Sequence, residues 1–257
     1  MNIVLIGSGN IATHLGGTLA GLGNNITQIY SRTLAHAKRL AEVLSATAVD
    51  DLKQIDKTAD LYLIAVSDSA IPAVIHQLPG NLPGLILHCS GATPMDILAK
   101  FDHYGVLYPV QSFTKEMDVD LRDTPLGIEA NHNQAYTQLA SITAKISSKT
   151  FPCSSSQRLA IHLAAVFANN FSNALFQVAY ELLAQHQLSF DLIRPLIKET
   201  AEKVQLRSPE QTQTGPAVRN DKNTMDSHLK FITSHPDWQL IYQKISDLIA
   251  KTSGNNS

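Results

Sequence analysis

The feature that most constrains the fold is an apolar strand that leads directly into a glycine-rich turn. Residues 3–6 read Ile-Val-Leu-Ile, the wholly apolar pattern of a strand buried on both faces. Residues 7–12 then fit the pattern Gly-x-Gly-x-x-Ala, and residues 11–22 have the periodicity of a helix. Gly7 permits a tight turn, Gly9 lets a ligand approach the backbone, and Ala12 allows close packing of helix on strand.

This strand-turn-helix arrangement is typical of a dinucleotide site. The first turn of a helix has free N–H groups and the positive end of the helix dipole, which together suit a pyrophosphate. The residues predicted to hold the phosphates are Gly7, Ser8, Gly9, Asn10 and Ile11. The alternative is a tight turn without a ligand, which the position of the glycines between strand and helix disfavours.

The rest of the first half alternates apolar strands with amphipathic helices. The pattern predicts strands at 26–30, 61–66, 85–88 and 106–108, with helices at 34–44 and 70–77 between them. Such alternation predicts an α/β fold with a doubly wound parallel sheet of the Rossmann type. Strand signals end near residue 151, and helical patterns occupy 156–187, 190–205, 221–233 and 238–251. We therefore predict a Rossmann nucleotide-binding domain at 1–150 and an all-helical domain at 151–257.

The end of the second strand indicates which nucleotide binds. An NAD site has an acidic residue there that accepts a hydrogen bond from the ribose 2′-hydroxyl. This chain instead has Ser31, Arg32 and Thr33. Arginine pairs with a 2′-phosphate through charge-assisted hydrogen bonds, and the two hydroxyls add donors. The predicted cofactor is NADP(H); the alternative for Ser31 or Thr33 is an ordinary helix N-cap.

Two further strand ends fall on the same edge of the predicted sheet, because ligands bind outside the carboxyl ends of parallel strands. Val66, Ser67 and Ser90 are predicted to line the cofactor there. For Ser67 and its neighbour Asp68, helix capping is an equal alternative. Cys89 is predicted to be a buried, inert thiol, since it faces the opposite side of the sheet from its neighbours.

Polar residues on the long helix of the second half are candidates for chemistry. At about 100° per residue, His162 and Asn169 lie within about 20° of one face, and Asn170 lies about 80° from His162. We predict that His162 donates the proton in a hydride transfer, that Asn170 orients the acceptor and that Asn169 contacts the substrate across a domain cleft. The alternative is a satisfied core histidine with two asparagines between helices.

A second cluster of candidate residues lies around a Gly-Pro turn at residues 215–216. Arg219 follows this loop and is predicted to hold a substrate carboxylate, with Thr214 and Asp221 as further substrate contacts. Gln111, which follows the strand at 106–108, is predicted to join them. The alternatives are an N-cap role for Asp221 and a solvated surface charge for Arg219.

Composition narrows the function classes. The formal net charge is −2 and charged residues make up 16%, so there is no basic field for nucleic acid, and the sparse charge favours an oligomer. The two cysteines have no metal-ligand spacing, so no metal is predicted, and they suggest a reducing compartment. No signal peptide or membrane span is recognised, and we expect a soluble cytoplasmic protein.

The motifs taken together resemble a known family. Residues 7–12, 88–91, 109–113, 162–171 and 214–219, with Asp221 and His228, are similar to bacterial proteins that join a Rossmann-like domain to a DUF2520 domain. These proteins belong to a wider group of β-hydroxyacid dehydrogenases and pyrroline-5-carboxylate reductases. The resemblance implies a helical C-terminal domain and a homodimer built on it. Some similar proteins look like an alternative type of ketopantoate reductase, which makes ketopantoate the leading substrate.

The chain differs from the wider group at one position of the long helix. The wider group places Lys one turn before an Asn, and matching Asn170 to that Asn puts Val166 at the Lys position. His162, one turn earlier, is the predicted replacement. Three functions therefore stay open: an NADPH-dependent reductase of a small oxo acid, a non-catalytic NADP-binding sensor or assembly module, and a dehydrogenase of a hydroxy or amino acid.

Overall fold

A computed structural model describes residues 1–114, 117 and 119–252 of the 257-residue chain. It divides into two compact units, Met1–Ala168 and Asn169–Ser257. This division falls within the long helix of the second half, later than the domain boundary at residue 150 that the sequence pattern suggests.

The first unit is built on an eight-stranded sheet with the order β3-β2-β1-β4-β5-β6-β7-β8. The strands are β1 (Asn2–Ile6), β2 (Asn25–Tyr30), β3 (Thr47–Val49), β4 (Leu61–Ile64), β5 (Leu85–His88), β6 (Tyr104–Pro109), β7 (Leu126–Ala130) and β8 (Thr150–Pro152). All neighbouring pairs are parallel except β6 and β7. The order reverses direction between β1 and β4, so the predicted doubly wound sheet is confirmed.

Helices cover both faces of this sheet. They are α1 (Asn10–Gly21), α2 (Leu34–Leu44), α3 (Ile71–Gln77), α4 (Asn133–Thr143) and α5 (Ser155–Ala165). Neighbouring residues in β4 belong to different apolar clusters: Leu63 packs with α1, α2 and α4, and Ile64 packs with α3. Because alternate strand residues point to opposite faces, a wholly apolar strand serves two cores at once.

The second unit is all-helical, as predicted. After a π-helical segment at Val166–Phe171 come α6 (Ser172–Gln185), α7 (Arg194–Leu206), α8 (Pro209–Thr212), α9 (Lys222–Phe231) and α10 (Pro236–Thr252). Only Ala217 and Ile232 are buried among residues 169–252, the part of this unit that the structure describes. Large apolar side chains such as Phe176, Leu196 and Leu240 are exposed. This unit therefore has almost no apolar core within one copy of the chain.

One helical run is long and apolar enough to cross a membrane. It spans Ser155–Gln185, and its most apolar window has a mean hydropathy of 1.3 with none of that window buried. Length and composition alone are weak evidence for a membrane span, because an apolar surface that packs against another protein has the same properties.

Candidate functional site

The turn after β1 has the backbone geometry that a phosphate site requires. Gly7 has a φ of +130°, and a Cβ at this position would overlap the carbonyl of Ala65. Gly9 is the N-cap residue of α1, and a Cβ there would have no neighbouring atom within 4 Å. No side chain caps the helix, so the N–H groups of Asn10 and Ile11 keep no intrahelical acceptor. The turn therefore has no room for a side chain at Gly7, whereas a ligand can approach its backbone at Gly9.

Seven of the eleven predicted cofactor residues meet around one cavity, and Asn10, Ile11, Thr33 and Ser90 do not line it. Its volume is about 190 Å³, and it lies at the carboxyl edge of β1, β2 and β4. The lining residues that the sequence predicts are Gly7, Ser8, Gly9, Ser31, Arg32, Val66 and Ser67. Tyr30, Ala65, Ala70 and Val74 complete the wall. Three separate strand ends therefore converge on one site, as the rule for open α/β sheets requires.

The end of β2 presents a cation to this cavity. Arg32 is exposed and makes no ion pair with any residue that the structure describes. Thr33 is the N-cap residue of α2 but its hydroxyl makes no capping hydrogen bond, so it stays available to a ligand. Asp50 and Asp51 act on Tyr30 by charge but do not line the cavity. This arrangement suits a phosphate better than a hydroxyl group.

Two basic residues beside the cavity were missed by the sequence analysis. A neighbouring cavity of about 320 Å³ is lined by Ser8, Thr13, His36 and Arg39, among others. His36 and Arg39 are three residues apart in α2 and therefore lie on the same face of that helix. That spacing was visible in the sequence, and the Arg39 guanidinium adds positive charge to a cavity that Ser8 also lines.

The serines that follow β4 and β5 differ in their hydrogen bonds. Ser67 makes no capping hydrogen bond, and its Oγ lies 3.4 Å from the Oγ of Ser69. The Ser90 hydroxyl accepts from the backbone N–H groups of Ala92 and Thr93 at 3.1 and 2.8 Å, so it stabilises the turn after β5. Cys89 is buried as predicted, and burial raises the pKa of its thiol well above the ordinary value. A thiol of this kind is not a nucleophile at neutral pH.

His162 lies against the turn after β5 and the end of β6. Its Nδ1 is 3.3 Å from the Tyr108 hydroxyl, and the two rings meet edge to face with centroids 6.1 Å apart. A Cβ on Gly91 would lie 2.6 Å from Cγ of His162, so only glycine lets the imidazole come this close. The sequence pattern predicted a role for His162 but none for Tyr108. Its position at the end of a strand on the ligand-binding edge was the available signal.

The start of α5 is fixed to the sheet by a buried ion pair that the sequence analysis also missed. Arg158 is 1% exposed, and its Nη1 lies 2.5 Å from Oε2 of Glu129 in β7. Its Nη2 donates to the backbone oxygen of Thr93 at 2.6 Å. The Ser155 hydroxyl donates to the same Glu129 carboxylate at 2.8 Å. This network ties α5, one turn before His162, to β7 and to the turn after β5.

A second histidine is buried beneath this network. His88 is 0% exposed, and its Nδ1 accepts a hydrogen bond from the Ser90 N–H at 3.2 Å. Burial, and then the positive charge of Arg158, lowers the pKa of His88 from 6.5 to about 4. His88 is therefore neutral at pH 7, and its Nε2 is buried without a hydrogen-bond partner among the described residues.

In the second unit, the loop predicted to bind the substrate leads into the first turn of α9. Asp221 is the N-cap residue of α9, and its carboxylate accepts from the backbone N–H and the hydroxyl of Thr224 at 3.1 and 2.7 Å. These bonds lower the pKa of Asp221 and give it the capping role left open above. Arg219 is exposed, with no ion pair to a described residue. Thr214 lines an apolar cavity of about 470 Å³ within this unit, together with the hydrogen-bonded pair His228 and Tyr242.

The π-helical segment changes the expectation for Asn169 and Asn170. Both residues are exposed and lie within Val166–Phe171. A π-helix bonds residues five apart and turns less per residue than an α-helix. The rotation of about 100° per residue that placed His162 and Asn169 on one face therefore does not hold across this segment. π-helical turns are frequent at functional sites.

The remaining predicted contact is Gln111, which is exposed after β6 and accepts from the Ser112 N–H through its own side chain. Within the ranges that the structure describes, no three His, Cys, Asp or Glu side chains are grouped so that they could bind a metal ion.

Comparisons with known proteins agree with this arrangement. Residues 1–110 match a family described as Rossmann-like domain, and residues 124–249 match the domain of unknown function DUF2520. No curated protein matches the chain. The two matched regions together cover most of the sequence.

Several solved structures share the fold over nearly the whole chain. A Bacteroides fragilis protein, provisionally described as an NADP oxidoreductase, is 37% identical over 97% of this chain and 98% of its own, with a TM-score of 0.89. A Thermotoga maritima protein is 25% identical over 98% and 99%, with a TM-score of 0.80. Pyrroline-5-carboxylate reductase from Streptococcus pyogenes is 14% identical over 98% of each chain, with a TM-score of 0.63, and shares the fold alone. The chain therefore belongs to the family of two-domain proteins in which a Rossmann-like domain is followed by a DUF2520 domain.

Proposed function

We propose that this protein is an NADPH-dependent reductase of a small oxo acid. The observation that carries the proposal is the cavity at the carboxyl edge of the sheet, where the open N-terminus of α1 faces Arg32 and Ser31. Its donors suit the pyrophosphate and the 2′-phosphate of one cofactor. The predicted cofactor, NADP(H), is supported by the 37% identical Bacteroides fragilis protein, which carries the same cofactor in its description.

Within this proposal the chain's own residues bind, orient and protonate. NADPH, when bound, supplies the hydride. Asn10 and Ile11 hold the pyrophosphate through their N–H groups, and Arg32 holds the 2′-phosphate. His162 gives the proton to the oxygen of the reduced carbonyl, since its ring lies beside the end of β5 on the ligand-binding edge.

The second unit supplies the candidates for substrate recognition. Arg219 is exposed and suits a carboxylate through two parallel hydrogen bonds. Asn170 orients the carbonyl, with Asn169 and Thr214 as further polar contacts. Gln111, a residue of the first unit, is the remaining candidate contact. Asp221 acts on this site through the loop whose end it caps, because Thr224 already occupies both of its carboxylate oxygens.

The experiment is to follow NADPH absorbance with purified protein and a panel of 2-oxo acids that includes ketopantoate. Ketopantoate is the leading substrate, and rapid oxidation with it alone would establish the reaction. His162→Ala should reduce turnover by about 10² to 10⁴ while leaving the NADPH Kd unchanged. Unchanged turnover in this variant would remove His162 from the chemistry.

A sensor without catalysis is the second candidate, and the valine at position 166, where related dehydrogenases have lysine, favours it. Tight NADPH binding with no turnover on any substrate would support the sensor. Faster reduction of NADP⁺ by a hydroxy or amino acid than oxidation of NADPH would instead support a dehydrogenase.

We also propose that the protein is a homodimer built on the helical surface. This surface comprises the exposed apolar side chains of the second unit, for example Phe176, Leu196 and Leu240. A unit in which only Ala217 and Ile232 are buried among the described residues does not bury enough apolar area to be stable alone. A second copy of the chain brings an identical surface to it.

The helical run Ser155–Gln185 fits this dimer better than it fits a membrane. Asn169, Asn170 and Asn173 interrupt the run near its middle, where an unpaired amide in hydrocarbon is costly. A protein interface satisfies such groups by hydrogen bonding. We accordingly propose a soluble, cytoplasmic protein that binds neither membrane nor nucleic acid.

A further inference from the structure

The end of β6 holds a tyrosine to which the proposed function gives no role. The Tyr108 side chain is 7% exposed, and its hydroxyl lies 3.3 Å from Nδ1 of His162. No other hydrogen bond of this hydroxyl is seen among the described residues. The hydroxyl proton is therefore satisfied when Tyr108 donates to Nδ1, and the imidazole then carries its own proton on Nε2.

We propose that Tyr108 is the source of the proton in the reduction and that His162 relays it to the substrate. This inference rests on the proposed reductase function. As hydride from NADPH reaches the carbonyl carbon, the carbonyl oxygen takes the Nε2 proton of His162. Nδ1 takes the hydroxyl proton of Tyr108, and the phenolate that remains regains a proton from solvent. NADPH is oxidised, the substrate is reduced by two electrons, and solvent supplies the net proton.

The surroundings of the hydroxyl suit this role. Burial raises the pKa of Tyr108, and the Cys153 thiol and the Asp68 carboxylate raise it further, so the proton is present at neutral pH. The buried guanidinium of Arg158 acts in the opposite direction and stabilises the transient phenolate.

Two further titratable groups lie beside Arg158: Glu129 is paired with it, and His88 is neutral. An alkoxide is a far stronger base than a phenolate, so the transfer is downhill even with a raised tyrosine pKa. Because Gly91 has no Cβ, the imidazole ring of His162 can lie close to the turn after β5 and within reach of the Tyr108 hydroxyl.

The pH dependence of turnover separates this relay from direct donation by a protonated imidazole. An imidazolium donor is lost as the pH rises, so direct donation would give a kcat that falls with increasing pH. With Tyr108 as the source, kcat stays level to alkaline pH and falls only above the ordinary tyrosine value of 10.0.

The test compares Tyr108→Phe with wild type, using the NADPH absorbance assay from pH 6 to 10.5. The variant should lose about 10- to 100-fold in kcat at pH 8, with little change in KM or in the NADPH Kd. Its kcat should also fall with rising pH instead of staying level, because the tyrosine proton is missing. In a His162→Ala background the same substitution should have no further effect.

Tyr62→Phe is the matched control. Tyr62 is 0% exposed in the same sheet, and its hydroxyl donates to the backbone oxygen of Asp56 at 2.8 Å. Its loss removes an equally buried hydroxyl, so it should lower stability and leave the pH profile of kcat unchanged. A kcat in Tyr108→Phe equal to that of wild type across the pH range would overturn the proposal.

A second readout needs no turnover. Nitrogen-15 spectra of His162 at pH 8.5, assigned with His162→Ala, should show the Nε2–H tautomer in wild type and a mixture in Tyr108→Phe. If the protein reduced no oxo acid but His162 had the Nε2–H tautomer, the proposed function would be rejected and the Tyr108–His162 hydrogen bond would still hold. An Nδ1–H tautomer in wild type would reject the relay whatever the substrate is.

Discussion

The two units of the chain bury apolar side chains to very different extents. In the sheet unit, Leu63 and Ile64 of β4 lie in two separate apolar clusters and are both fully buried. In the helical unit, Phe176 and Leu240 are 39% and 55% exposed, and only Ala217 and Ile232 are buried among residues 169–252. The sheet unit has a core of its own, whereas the helical unit leaves large apolar side chains on its surface.

This difference corresponds to a difference in function. The cavity for the proposed cofactor is lined only by residues of the sheet unit, at the ends of β1, β2 and β4 and at the start of α3. The candidates for substrate recognition in the helical unit, such as Arg219 and Asn170, are exposed side chains, and Arg219 makes no ion pair with a described residue. We infer that cofactor binding depends on the packing of one chain and that substrate recognition depends on the dimer.

The largest effect is expected from a charge placed on the helical surface. Phe176→Glu would place a carboxylate in the proposed dimer interface, and we expect the dimer Kd to rise at least ~100-fold, or about 3 kcal/mol. Sedimentation equilibrium over a range of concentrations measures this shift. NADPH should still bind to the resulting monomer, because its cavity lies in the sheet unit.

The control is Leu22→Glu, which makes the same kind of change at a 42% exposed leucine after α1 in the sheet unit. It should leave the mass of the particle unaltered. A wild-type protein that sediments as a monomer, or partitions into lipid vesicles, would show that something other than a second copy covers the helical surface.

A comparable effect is expected inside the sheet unit when the pH is lowered. The pKa of His88 is about 4 in the folded protein and 6.5 when unfolded, so the unfolded chain binds more protons between these values. The free energy of unfolding therefore falls as the pH drops below 6.5, by about 3 kcal/mol at pH 4 from this residue. Urea unfolding at pH 7, 6, 5 and 4 gives the slope.

His88→Gln should be less stable at pH 7 but should lose less on acidification than wild type. His76→Gln, at an exposed position of α3, should retain the wild-type slope. Equal slopes in wild type and His88→Gln would mean that His88 is charged or accessible in the folded state.

A smaller effect on stability is expected when the glycines of the turn after β1 are replaced, and it differs between Gly7 and Gly9. Gly7→Ala forces a φ of +130° on a residue with a side chain and drives its Cβ into Ala65, so stability should fall by roughly 1–3 kcal/mol. Gly9→Ala meets no atom within 4 Å and has an ordinary φ of −81°, so its melting temperature should not change. Its NADPH affinity should drop, because the methyl group enters the space of the phosphates.

Thermal unfolding and fluorescence titration with NADPH measure the two properties separately. If Gly9→Ala bound NADPH as wild type does, the phosphates would not lie over this turn.

The sequence predicted the parts of the fold that repeat a simple pattern. The helix at 34–44 and the strand at 85–88 agree with α2 and β5 residue for residue. The strands β3, β7 and β8 were missed, since two have only three residues and β7 ends Ile-Glu-Ala rather than in an apolar run. Glu129 interrupts that pattern because it pairs with Arg158, a long-range contact that local periodicity does not reveal.

The site shows the same limit. Gly7, Arg32 and Ser67 were predicted to share one site because strand order brings their strand ends together, and all three line the cavity. Tyr108 and Arg158 were missed because their roles come from partners 54 and 29 residues away in sequence, His162 and Glu129. The π-helical segment Val166–Phe171 has no signature in single-residue propensities, so the rotation from His162 to Asn169 was computed for the wrong helix type.

The smallest of these effects concerns Arg32, and it tests whether the sheet unit alone selects the cofactor. Arg32→Ala should weaken NADPH binding by about 10-fold, or 1.4 kcal/mol, because a charge-assisted pair with the 2′-phosphate is lost at an exposed position. NADH affinity should stay the same, since NADH has no 2′-phosphate. Lys38→Ala removes an equally exposed cation from α2 without lining the cavity and should change neither affinity. Arg32→Asp should then favour NADH, because a carboxylate accepts from the ribose 2′-hydroxyl. Equal losses for both nucleotides would place Arg32 on the pyrophosphate and leave cofactor choice to His36 and Arg39.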